Sequence, residues 1–168
     1  YSWFLRSAGA AECYTPIDQA YALARRRGMD LVTLADHDTI DGALELCARH
    51  DDTFVSVEVS ARFPDDGCIV HMIALDVTEA QHDEMQRLRR NIYELTSYVE
   101  HAAIATFWCH PLSQVNGRLT RAHLEQCFLM FRALEVRNGT RDAAHELHLR
   151  DVSSRITPSL LEAWAQRH

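Results

Sequence analysis

The chain has 168 residues, 47% hydrophobic and 24% charged, with a net charge of −7 at pH 7. These are ordinary values for a single globular domain with a real core, spanning residues 1–168. The acidic balance argues against a surface given over to nucleic acid or anionic membrane, and leaves room for a local basic pocket. The cysteines at 13, 47, 68, 109 and 127 are scattered and odd in number, with no C-x-x-C pair. They indicate neither a disulfide framework nor a cysteine zinc site, and predict reduced thiols and a cytoplasmic location. No apolar run approaches the roughly 20 residues of a membrane span, and no signal peptide is visible.

Tyr1 to Tyr14 reads as a loop-like lead-in. Thr15-Pro16 opens a helix with Ile17, Ala20, Tyr21 and Ala24 on its apolar stripe, closed by Arg25-Arg26-Arg27 and Gly28. Leu31 to Ala35 reads as a short buried strand that stops in Asp36-His37-Asp38, with Thr39 as the N-cap of a helix over Ile40 to Arg49. Thr53 to Ser60 has the β-branched content of a strand, Phe63 to Gly67 is a turn, and Cys68 to Leu75 is a strand interrupted by His71. Glu79 to Ala102 reads as one long helix, with Met85, Leu88, Ile92, Leu95 and Val99 on one face. Ala103 to Trp108 is a strand ending in Cys109-His110-Pro111. Arg121 to Phe131 is helical, and Ala133 to Arg137 is a strand ending in Asn138-Gly139. Helices follow over Asp142 to Leu149 and, after Thr157-Pro158, to Arg167. The alternation predicts an α/β fold with parallel strands and helical crossovers, as a barrel or an open sheet.

Four of these apolar strands end in, or carry, a residue able to bind metal: His37, Glu58, His71 and His110. Imidazole with carboxylate suits zinc, manganese or iron. Each residue also has a plainer reading. His37, between Asp36 and Asp38, reads equally as a turn or cap residue. Glu58, between Val57 and Val59, needs a cation or strong donors unless its strand is an edge facing water. His71 in an apolar run reads as a hydrogen-bonded core histidine, and His110 as an ordinary strand-end residue. The joint placement favours the metal site. The other histidines, at 50, 82, 101, 123, 145, 148 and 168, fall in polar helical stretches or at helix ends and are expected at the surface.

Taken in order, Ala35-Asp36-His37-Asp38-Thr39, Ser56-Val57-Glu58-Val59-Ser60, His71-Met72-Ile73-Ala74-Leu75, Cys109-His110-Pro111 and Leu134-Glu135-Val136-Arg137-Asn138-Gly139 resemble the PHP (polymerase and histidinol phosphatase) family. The resemblance runs from about Tyr14 to Gly139 and on through the last helix. It implies a distorted seven-stranded (β/α) barrel with a two- or three-metal site at the strand C-termini, and hydrolysis of phosphoesters on a phosphorylated small molecule or nucleotide. It implies His37, Glu58, His71 and His110 as metal ligands, Glu58 and His37 as the catalytic pair, and Arg137 and Asn138 as residues facing the substrate. Ser56 replaces the glycine of the family's Gly-x-Glu. The family's opening His-x-His and closing Asp-x-His are not present, so the resemblance implies an incomplete barrel, a site for about one ion and poor two-metal hydrolysis by these residues. A non-catalytic module of the same fold and an amidohydrolase-type metal hydrolase are the alternatives.

Overall fold

A computed structural model describes residues 15–138 and 143–168. The expected lead-in over Tyr1–Tyr14, Gly139, the helix start at Asp142 and the side chain of His145 lie outside the described residues. The elements are α1 (Ile17–Arg26), α2 (Asp41–Cys47), β1 (Ser56–Arg62), β2 (Ile69–Leu75), α3 (Glu79–Leu88), α4 (Ile92–His101), β3 (Ala105–Trp108), α5 (Arg121–Met130), α6 (Ala143–Ser154) and α7 (Pro158–Arg167). Three of the helices are capped by their own threonines: Thr78 before α3, Thr120 before α5 and Thr157 before α7 each accept a backbone N–H of the first turn.

The strands form one sheet in the order β1-β2-β3, and both pairs are antiparallel. This corrects the expectation of parallel strands joined by single helical crossovers, and two local features explain it. Between β1 and β2 the chain has only the Pro64-Asp65-Asp66 turn and its flanks, far too little for a crossover, so it doubles back as a hairpin. Between β2 and β3 the expected long helix is broken after Leu88. Asn91 caps α4 by accepting from the Tyr93 N–H, and the Arg89 carbonyl accepts the Arg62 N–H of β1 at 2.9 Å. Two helices in place of one carry the chain out and back, so β3 starts beside the end of β2, with Ala105 opposite Leu75.

Parallel pairing survives at the margins as isolated bridges. Val32 pairs with Thr53, His37 with Glu58, and Trp108 with Leu134. The segments 31–35 and 133–137 therefore run along the sheet without becoming full strands. A seven-stranded barrel is not formed by the described residues.

The strand alternation separates two faces. Val57, Val59 and Ala61 of β1 and Val70, Met72 and Ala74 of β2 are fully or almost fully buried. Against that face pack Met85 and Leu88 of α3 and Ile92, Leu95 and Val99 of α4, with Trp108. Each such side chain stabilises by about 1.5–3 kcal/mol relative to leaving it in water. The opposite face carries Ser56, Glu58 and Ser60 of β1 and His71, Ile73 and Leu75 of β2. Among the described residues no helix is long and apolar enough to cross a membrane.

Candidate metal centre

The open face of the sheet brings two chemical groups together by register alone. Ser60 lies opposite His71, and Glu58 opposite Ile73, so Glu58 and His71 are diagonal neighbours on one face. His37 arrives from the parallel bridge beside β1. The Glu58 N–H donates to the Asp36 carbonyl at 3.0 Å, and the Asp38 N–H donates to the Glu58 carbonyl at 2.8 Å. His110 arrives from just beyond β3, where the Cys109 N–H still donates to the His71 carbonyl at 2.9 Å. Continued alternation would send residue 110 to the buried face with Trp108. Instead His110 has φ +30°, a left-handed conformation costing about 1–2 kcal/mol for an L side chain, and the ring returns to the open face.

The donor atoms meet closely. His71 Nδ1 is 3.0 Å from Glu58 Oε1, His110 Nε2 is 3.2 Å from the same oxygen, and the two nitrogens are 3.2 Å apart. His37 stands at the margin, its Nδ1 3.7 Å from Glu58 Oε1 and its ring centroid 4.7 Å from that of His71. Glu58, His71 and His110 expose only 16%, 12% and 15% of their side chains, while His37 exposes 43%. Burial disfavours the Glu58 carboxylate, but hydrogen bonds from His110 and His71 and the charge of His37 and His71 outweigh it, and its pKa falls to about 2.

This donor set fits a divalent cation. Ligands about 2.0–2.2 Å from one ion lie about 3–3.6 Å apart, and the Glu58–His71–His110 triangle has edges of 3.0–3.2 Å. Hydrogen bonds alone serve it poorly. If both imidazoles aim N–H groups at Oε1, those groups face one another at 3.2 Å; if only one does, the lone pair of the other nitrogen faces the carboxylate oxygen; if neither does, lone pairs meet throughout. A cation between them removes the conflict. His37, Glu58 and His71 make a second, looser grouping, with ligand atoms all within 4.8 Å. The ion-pair distances make the triangle with His110 the tighter of the two.

Two carboxylates support the site from outside it. Asp38, at φ +58°, accepts from the Ser60 N–H at 2.8 Å and from Arg89 Nη1 at 2.9 Å, pinning the His37 segment to β1. Glu135 accepts from the His110 N–H at 2.9 Å. Sequence reasoning gave Asp38 only a turn role and Glu135 none. The signal for Glu135 was the one used for Glu58, a carboxylate inside an apolar stretch.

The substrate-facing expectations land differently. Arg137 is 84% exposed, with Nε 3.7 Å from Glu146. Asn138 Nδ2 donates to both oxygens of Glu135 at 3.0 Å. Among the other histidines, the surface expectation is corrected for several. The side chains of His82, His123 and His168 are mostly buried; His123 closes the α5 capping box, His168 pairs with Glu125, and His50 stacks on Tyr21.

No family model matches the chain, and no curated protein matches it in sequence. Among solved structures it is similar to one from Bifidobacterium adolescentis, a protein to which metal-dependent phosphoesterase activity has been ascribed. The TM-score is 0.62 and the identity 18%, over 85% of this chain and 79% of that one. At that identity the likeness shows a shared fold. The chain is thus an α/β protein with the fold of that neighbour, carrying a candidate histidine–glutamate metal centre on the open face of its sheet.

Proposed function

We propose that the chain is a PHP-type metal-dependent phosphoesterase that hydrolyses phosphate esters of a small molecule or nucleotide. The observation that carries this is the closeness of Glu58, His71 and His110, three donor atoms within 3.0–3.2 Å of one another. The ordered PHP-like motifs and the fold shared with the Bifidobacterium protein support it. Glu58, His71 and His110 would hold the ion, with His37 beside them; zinc, manganese and iron all suit these donors. Bound there, the ion would acidify a water and polarise a phosphoryl oxygen.

The chain's own groups have distinct tasks. Glu58, with its pKa near 2, is ionised at any ordinary pH, so no proton has to leave it before the ligand set forms. His71 is fixed by the sheet and His110 by its turn, so the set is preorganised. His37 is the most exposed of the four and is the group a substrate reaches first, placed to move a proton. Arg137 would grip a substrate phosphate through its guanidinium fork, with Asn138 beside it. Reduced thiols fit a cytoplasmic setting.

The test is to strip the protein with a chelator and reload it with Zn²⁺, Mn²⁺ or Fe²⁺. Bound metal is measured by elemental analysis, and hydrolysis of a phosphomonoester, a phosphodiester and an amide is assayed. About one ion per chain is expected, with phosphoester hydrolysis that disappears on chelation and in Glu58→Ala and His110→Ala. Stoichiometric metal with no hydrolysis would identify a binding module, and amide cleavage would identify an amidohydrolase-type enzyme. Absence of stoichiometric metal would end the reading.

A further inference from the structure

We infer that Glu135 is a positioning residue for His110, holding the ligand's main chain in the conformation that aims its imidazole into the metal site. The inference rests on the metal centre proposed above. Glu135 lies on the segment that bridges β3 through Leu134. That segment is stapled to the end of β3 from both directions. The Trp108 N–H donates to the Ala133 carbonyl at 3.0 Å, and the Glu135 N–H donates to the Trp108 carbonyl at 2.8 Å. From this fixed base the carboxylate reaches past the strand end. Its Oε2 accepts the His110 N–H at 2.9 Å, and Asn138 Nδ2 holds the carboxylate itself with 3.0 Å contacts to both oxygens.

The reason such a device is needed is local. Successive N–H groups of a strand point to opposite sides: that of Cys109 reaches His71 of β2, while those of Trp108 and His110 face the 133–137 segment, where Trp108 finds the Ala133 carbonyl and His110 finds the Glu135 side chain in place of a main-chain carbonyl. At His110 the backbone adopts φ +30°, which an L residue leaves unless its surroundings hold it. Without the carboxylate the N–H loses its acceptor and the turn can relax toward extended backbone. By the two-residue period of a strand, that relaxation moves the imidazole toward the opposite face, away from Glu58 and His71. Glu135 acts on the ligand through its backbone, whereas the partners that orient a metal-binding histidine commonly act through its second ring nitrogen.

Zn²⁺ affinity, measured by competition with a chromophoric chelator, and the visible spectrum of the Co²⁺-substituted protein test this directly. Glu135→Ala should weaken Zn²⁺ binding at least about tenfold and alter the Co²⁺ spectrum. Glu135→Gln keeps one acceptor at the right distance and should stay within about threefold of wild type. Glu135→Asp keeps the charge but draws the oxygens back by one bond, and should be weakened like Glu135→Ala. If the alanine variant does not fold, the Gln and Asp pair decides. Wild-type affinity in Glu135→Ala overturns the inference, because a purely structural role lowers the melting temperature of the metal-free protein without changing metal affinity. Weak binding in Glu135→Gln with strong binding in Glu135→Asp overturns it too, showing that charge and not position matters. His110→Ala is run beside these. If it leaves Zn²⁺ affinity intact, the metal-centre reading itself falls; if it weakens binding while Glu135→Ala does not, only the role of Glu135 falls.

Discussion

Removing the charge of Glu58 should change how stability responds to acid, and the structure sets the size of the change. In the metal-free fold the carboxyl pKa drops from 4.5 to about 2. At about 1.4 kcal/mol per pKa unit, the ionised group contributes about 3 kcal/mol at neutral pH, and its burial leaves little of this to solvent screening. Because the folded value lies below the unfolded one, the contribution is complete above pH 4.5 and is lost as pH falls toward 2. Between pH 5 and pH 3, about 2 kcal/mol of it should vanish. Urea unfolding of chelator-treated wild type and Glu58→Gln, followed by circular dichroism at both pH values, measures it. Other carboxyl groups cancel in the difference between the two proteins. The stability gap should narrow by about 2 kcal/mol from pH 5 to pH 3. A gap that stays constant within about 0.5 kcal/mol would refute the claim that the three histidines hold this carboxylate ionised.

Further outcomes follow from the same geometry. Asp38→Ala removes two charge-assisted hydrogen bonds, to the Ser60 N–H and to Arg89, and should cost about 2–3 kcal/mol in urea unfolding. Asp38→Gly should cost about 1 kcal/mol less, since glycine accepts φ +58° freely; equal costs would show that the backbone there is unstrained. Leu95→Ala empties a fully buried site on the opposite face of the sheet and should cost about 2–5 kcal/mol while leaving Zn²⁺ affinity unchanged.

Much of the fold was legible because its signals are local. Period-2 burial, the Thr157 cap and the α3–α4 apolar stripe all rest on residues within a few positions of one another, whereas Thr15 and Thr39, expected as caps, are not the N-caps of α1 and α2. What was not legible rests on distant partners. The stripe from Met85 to Val99 continues unbroken through Arg89-Arg90-Asn91, so periodicity alone reads one helix. The break is made by Asn91 as a cap and by a β1 amide claiming the Arg89 carbonyl. The antiparallel direction of β3 against β2 depends on that break. The candidate ligand histidines could be singled out because imidazole and carboxylate are conspicuous in apolar strands. The distances between them could not, since they depend on register and on one left-handed residue outside glycine.

The four ligand candidates divide by how they are held, and the division explains where the carboxylates sit. Glu58 and His71 belong to paired strands, and cross-strand hydrogen bonds fix them without further help. His37 and His110 lie where regular pairing stops: His37 keeps a single parallel bridge, to Glu58, and His110 lies beyond the last backbone hydrogen bond between β3 and β2. Beside each is a non-glycine residue with positive φ, Asp38 in one case and His110 itself in the other. Beside each also is a carboxylate that takes a backbone N–H across to another element: Asp38 takes that of Ser60, and Glu135 that of His110. Strained backbone persists only where its surroundings over-determine it. These two carboxylates supply that restraint, Asp38 drawing Arg89 from the α3–α4 junction and Glu135 drawing Asn138 from its own segment. The sheet therefore sets half of the site, and two short polar networks brace the half that lies at the margin of regular pairing.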